Sequence, residues 1–115
     1  MRAGLPISEN TMRAIYEMLI QMPPMSRWNL PPSNKVIFEA TNDATCYGEF
    51  EPPNTIRLSR KKVGHLDTAV KTMAHEILHF RLHEMNHSDW DKHSGKFLEL
   101  GEKIALTMGF DPKEF

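Results

Sequence analysis

Residues 75–79 read His-Glu-Ile-Leu-His, an HExxH pattern. Two histidines four positions apart stand one above the other on the same side of an α-helix, so both imidazoles can reach one tetrahedral zinc at ~2.0–2.1 Å. Glu76, about 100° round the helix from His75, faces the position such an ion leaves open, where a carboxylate can act as general base toward water. The chemistry expected of this arrangement is metal-assisted hydrolysis. The bland alternative is a solvated helix face that carries two surface histidines.

A catalytic zinc keeps three protein ligands, and the candidates for the third are His65, His83, His87, His93, Glu99 and Glu102. His83 lies one turn beyond His79 on the same helix, and three successive turns of a straight helix do not converge easily on one ion. His93 falls on the stripe of Trp90, Phe97, Leu100, Ile104 and Met108, which points it into the body of the fold, whereas Glu102 projects to the opposite side and Glu99 well away. His93 is therefore the expected third ligand, delivered by a last helix packed against the HEILH helix. Standing alone, it would read as a hydrogen-bonded core histidine at a helix start. Asp89 and Asp91 suit either orientation of His93 or capping of that last helix, with capping the plainer role.

The elements that must position these groups follow from hydrophobic period. Ser8 caps a first helix with Met12, Ile15, Tyr16, Leu19 and Met22 on one side, ending at Pro23-Pro24. The stretch 24–34, with Pro31-Pro32, reads as a surface loop pinned by Trp28. Val36-Ile37-Phe38 and Thr45–Phe50 read as two strands of a hairpin, and Thr55–Ser59 as a third strand after the Pro52-Pro53-Asn54 turn, so the sheet is expected to be three-stranded and antiparallel. From Asp67 as N-cap, Val70, Met73, Ala74, Ile77, Leu78 and Leu82 form one apolar stripe, which places HEILH inside a helix identified independently of the motif. Ser88 and Asp91 offer a capping box for the last helix, whose regular part starts near Ser94 because of Gly95, and Gly109 and Pro112 end it. The fold class expected is α+β: an N-terminal helix, the sheet, the active-site helix and a C-terminal helix that carries the third ligand.

The chain has 115 residues, a size typical of one domain, and residues 1–115 are read as a single unit. Its 14 basic and 15 acidic residues nearly cancel, which gives no general attraction to a polyanion. Arg57, Arg60, Lys61 and Lys62 form the one basic cluster and the one candidate contact for nucleic acid, although such clusters are more often solvated strand ends. Cys46 is the only cysteine, so a four-cysteine zinc module is excluded and a reducing, cytoplasmic setting is expected. Met1 to Pro6 contains no leader-like apolar stretch, no later run approaches the ~18 residues of a membrane span, and a monomer is expected.

These local features together resemble the SprT-like domain family, the Spartan-type zinc metallopeptidases, over roughly residues 36–108. Cys46-Tyr47-Gly48, the strand Ile56-Arg57-Leu58-Ser59, HEILH on a helix, and His93-Ser94-Gly95-Lys96-Phe97 occur in the family's order and spacing, with Ser94 where the family has glycine. The resemblance implies a compact zincin-like fold and a zinc held by His75, His79 and His93. It also implies hydrolysis of a protein or peptide substrate through a zinc-activated water with Glu76 as general base, and it raises action near DNA. Tyr47, Arg57 and His83 are the candidates for a second oxyanion donor. The competing expectation is a non-catalytic zinc-binding interaction domain, against which the intact Glu76 argues.

Overall fold

The computed structural model describes residues 7–113 and 115. The stretch 1–6, read above for the absence of a leader, lies outside the described residues, as does residue 114. The first helix, α1, covers Glu9–Leu19, and the Ser8 hydroxyl accepts the Thr11 N–H at its start. Met12, Ile15, Tyr16 and Leu19 are buried as their spacing requires, but the helix stops before Met22, which is left exposed. Two short 3-10 turns follow, Met25–Arg27 and Ser33–Lys35. This loop is anchored: Trp28 is buried, its carbonyl accepts from Arg81 at 2.8 Å, and the Tyr16 hydroxyl donates to the Pro31 carbonyl at 2.7 Å.

The three expected strands form, as β1 (Ile37–Thr41), β2 (Gly48–Glu51) and β3 (Thr55–Ser59). Their arrangement differs from the expectation, because the order is β1-β3-β2 and β1 runs parallel to β3. The sheet is mixed, and the hairpin is β2 with β3, not β1 with β2. The tight Pro52-Pro53-Asn54 turn folds β3 back on β2, and of the two free edges of that hairpin β1 takes the one on β3. The connection 42–47 then crosses the end of β3, where the Ser59 hydroxyl donates to the Asp43 carbonyl and the Ser59 N–H to the Tyr47 carbonyl. At the opposite end the Ile37 N–H donates to the Asn54 carbonyl, which brings the beginnings of β1 and β3 side by side. Phe38, Phe50, Ile56 and Leu58 turn inward on alternate positions.

The second helix, α2, covers Leu66–Glu84, with His65 rather than Asp67 at its N-cap. Its buried positions include Ala69, Met73, Ala74, Glu76, Ile77, Leu78, His79, Phe80 and Leu82, which is far more than one stripe. The excess reflects its place at the centre, packed against α1, against β2 and β3, and against the last helix. That helix, α3, covers Lys96–Met108 and ends at Gly109 in the left-handed conformation. Residues 88–94 form turns and bends, so the Ser88–Asp91 capping box does not form and His93 precedes α3 instead of riding on it. The chain enters α3 through Gly95 at φ 58°. Among the described residues no helix is long and apolar enough to cross a membrane.

Candidate metal centre

His75 and His79 leave α2 on the side that faces the turn before α3, and His93 reaches back from that turn to meet them. Its Nε2 lies 3.2 Å from Nε2 of His75 and 3.1 Å from Nε2 of His79. Two ligand atoms bound at ~2.0–2.1 Å in a tetrahedral site stand about 3.3 Å apart. The observed separations are thus those of one coordination shell, and the three histidines can hold a metal ion.

The outward nitrogens decide which tautomer each ring adopts. Nδ1 of His75 donates to the Phe115 carbonyl at 2.9 Å, and Nδ1 of His79 donates to the Trp90 carbonyl at 2.7 Å. A carbonyl only accepts, so the ring protons of both neutral imidazoles sit on Nδ1 and the Nε2 lone pairs point inward. One proton on His93 Nε2 can satisfy one of its two close contacts, whereas a cation between the rings satisfies all three. Burial pushes His75 down to about 4 from the usual 6.5, with the neighbouring His79 adding to the fall, and burial likewise lowers His79. Both are neutral, ligand-ready imidazoles at neutral pH.

Glu76 is 4% exposed. Burial, with the nearby charge of Glu49 as the lesser cause, raises its carboxyl from 4.5 to about 8. A dication among the adjacent imidazoles reverses that balance and favours the carboxylate. Glu76 and His75 line a cavity of about 530 Å³ whose other walls are Cys46, Tyr47 and Gly48 at the start of β2, Thr68, Lys71 and Thr72 on α2, and Phe115. They also line a shallower depression on the other side, together with His79, His93, Trp90 and Asp91. Gly48 is required where β2 crosses α2, because a Cβ there would come within 2.8 Å of the Arg57 carbonyl oxygen and 3.0 Å of Thr72.

The other residues singled out from the sequence separate clearly. Glu99 and Glu102 are exposed on α3, and His65 is exposed at the N-cap of α2. His83 packs against the rings of Phe50 and Trp90, its buried Nδ1 finding no partner among the described residues, and His87 accepts the Asp89 N–H. Asp89 neither caps α3 nor holds His93; it pairs with Lys92 at 3.6 Å. Of the three oxyanion candidates, Tyr47 lines the larger cavity. Arg57 lies on the outer face of the sheet, gripped by Glu39 at 2.7 Å, Glu49 at 3.4 Å and Glu51 at 2.6 Å. Within the basic cluster Arg60 donates to the Ala40 carbonyl, and Lys62 sits over the Tyr47 ring.

The two carbonyls that fix His75 and His79 were not foreseen, since any residue supplies a carbonyl and the sequence carries no mark of which one arrives. Comparison with family models, with curated proteins and with solved structures returns no match.

Proposed function

We propose that the chain is a zinc-dependent metallopeptidase of the SprT-like kind, in which His75, His79 and His93 hold the metal and Glu76 is the general base. The observation that carries this reading is the convergence of three Nε2 atoms, two with their tautomers set by carbonyls, beside a buried carboxyl that opens on a cavity. An all-nitrogen set of three neutral imidazoles suits zinc and leaves a fourth position free. A purely structural site has no use for a glutamate at that position.

When bound, the metal supplies Lewis acidity to water and to the peptide carbonyl. Glu76 takes the proton from the attacking water as its oxygen adds to the carbonyl carbon. The same group returns the proton to the departing amine as the carbon–nitrogen bond breaks, so the carboxylate is regenerated. His75 and His79 stay neutral throughout, held by Phe115 and Trp90. Tyr47, which lines the cavity, is the candidate for a second hydrogen-bond donor to the oxyanion. The cavity and the depression share Gly48, His75 and Glu76 in their walls, and the substrate of this reading is an extended peptide or protein segment bound across Glu76.

Glu76→Gln tests the assignment. It keeps the size of the side chain and removes the base, so zinc content measured by elemental analysis should stay near one per chain while peptide hydrolysis falls by at least ~10²-fold. Hydrolysis that persists in the variant would refute Glu76 as the base. Zinc binding without hydrolysis in the wild type would replace the enzyme by a non-catalytic zinc-binding interaction domain.

A further inference from the structure

His93 and Glu76 account for the inner side of the site, but the outer side of His75 is held by a residue seven positions beyond the end of α3. The Phe115 carbonyl accepts from His75 Nδ1 at 2.9 Å, and the Phe115 ring stands 5.7 Å from the His75 ring. That ring also stacks on Phe97 at 6.4 Å and Phe110 at 6.0 Å. Beneath it lies Gly101, in the middle of α3, where a Cβ would come 3.2 Å from the Phe115 ring and 3.6 Å from Leu78. Alanine is the better helix former at a mid-helix site, so glycine here answers to the close approach of the ring and not to the helix.

We infer that Phe115 is a positioning residue for the metal site: its ring seats in the recess over Gly101, and its carbonyl thereby holds the His75 imidazole in the ligating tautomer and orientation. This rests on His75 being a metal ligand. The symmetry of the arrangement supports it, because His79 is held in the same manner by the Trp90 carbonyl, from the other flank of α3. Without Phe115 the His75 ring can rotate about its χ2 angle and its proton can move to Nε2, and both changes withdraw the lone pair from the ion. The same ring forms one wall of the cavity next to Glu76, so seating it also completes that wall.

The experiment compares wild type, Gly101→Ala, Phe115→Ala, the Gly101→Ala/Phe115→Ala pair and Phe115→Leu in the full chain. Zinc affinity is measured by competition with a chromogenic chelator, ligand geometry by the visible absorption of Co²⁺ bound in place of zinc, and folding of the metal-free chains by circular dichroism. Phe115→Ala should weaken zinc binding by ~10- to 100-fold, and Gly101→Ala, whose Cβ pushes on the ring from 3.2 Å, should weaken it by a smaller factor, both altering the Co²⁺ spectrum with the fold intact. The pair should be no worse than the weaker single variant, since both act through one contact, and Phe115→Leu should recover most of the affinity by refilling the recess. Gly101→Ala is the discriminating variant, because it favours helix formation while it displaces the ring. Wild-type affinity and an unchanged Co²⁺ spectrum in both single variants would overturn the role of Phe115 and leave the metal site standing. Failure of the wild type to bind either ion would overturn both.

Discussion

Glu76 and its neighbours His75 and His79 share one turn of α2, and burial moves them in opposite directions on the pH scale because the charged form is an anion in one case and a cation in the other. In the metal-free protein this sets a pH profile. His75 titrates at about 4 when folded against 6.5 as a free group, so between those values the unfolded chain binds a proton that the folded chain refuses, and raising the pH stabilises the fold. Glu76 titrates at about 8 when folded against 4.5, so from 4.5 upward the folded chain keeps a proton the unfolded chain has lost, and raising the pH destabilises. The two effects oppose each other up to 6.5. Above it Glu76 acts without the histidines, and metal-free stability should fall by roughly 1–2 kcal/mol between about pH 6.5 and 8. Urea unfolding across that window, in wild type and Glu76→Gln, measures this. The variant should lose the decline and keep the weakening on the acid side, and a flat wild-type profile would mean the carboxyl is not held in a dry site.

At the scale of elements, α2 and α3 were legible because apolar residues recur with the helical period, and a motif inside a helix has only one geometry. His75, Glu76 and His79 could therefore be placed on their faces from spacing alone. The strands were legible one by one but not their pairing: the β-branched and aromatic run 36–38 and the alternation in 45–50 and 55–59 mark strands, whereas the partner depends on a turn at 52–54 and a crossing at 42–47 that no single strand encodes. His93 lies beside His75 and His79 as expected, yet it reaches them from the turn before α3, since the stripe that continues its spacing begins to be helical only at Lys96. Gly95 makes that entry at φ 58° and ψ −116°, a conformation that side chains rarely adopt, and no atom lies within 4 Å of where its Cβ would be. Gly95→Ala therefore meets backbone strain with no compensating contact and no clash. It should destabilise the fold by ~1–3 kcal/mol and weaken zinc binding through the displaced His93, measured by urea unfolding and chelator competition. Unchanged values in both would show that the turn tolerates a different entry.

Across the whole molecule the three histidines that can hold a metal come from two places: His75 and His79 from the central helix, His93 from the turn that leads into α3, with carbonyls from either flank of α3 completing the support. An ion at this centre ties α2 to α3 and to both its flanks, contacts that are long-range in sequence and absent from the unfolded chain. Binding to the folded state alone contributes RT ln(1 + [L]/Kd), about 2.7 kcal/mol at a free zinc concentration 100-fold above Kd. For a domain near this size each kcal/mol moves the midpoint by roughly 4–8 °C, so zinc should raise the thermal midpoint by about 10 °C or more and chelation should reverse the gain. His93→Ala should lose most of that increment while its metal-free midpoint stays close to the wild type, because His93 is exposed and buries little surface of its own. Scanning calorimetry of both proteins with and without zinc separates the two terms. An equal zinc-dependent rise in the variant would remove His93 from the ligand set, and no rise in either protein would leave the convergence of the three imidazoles without an ion to explain it.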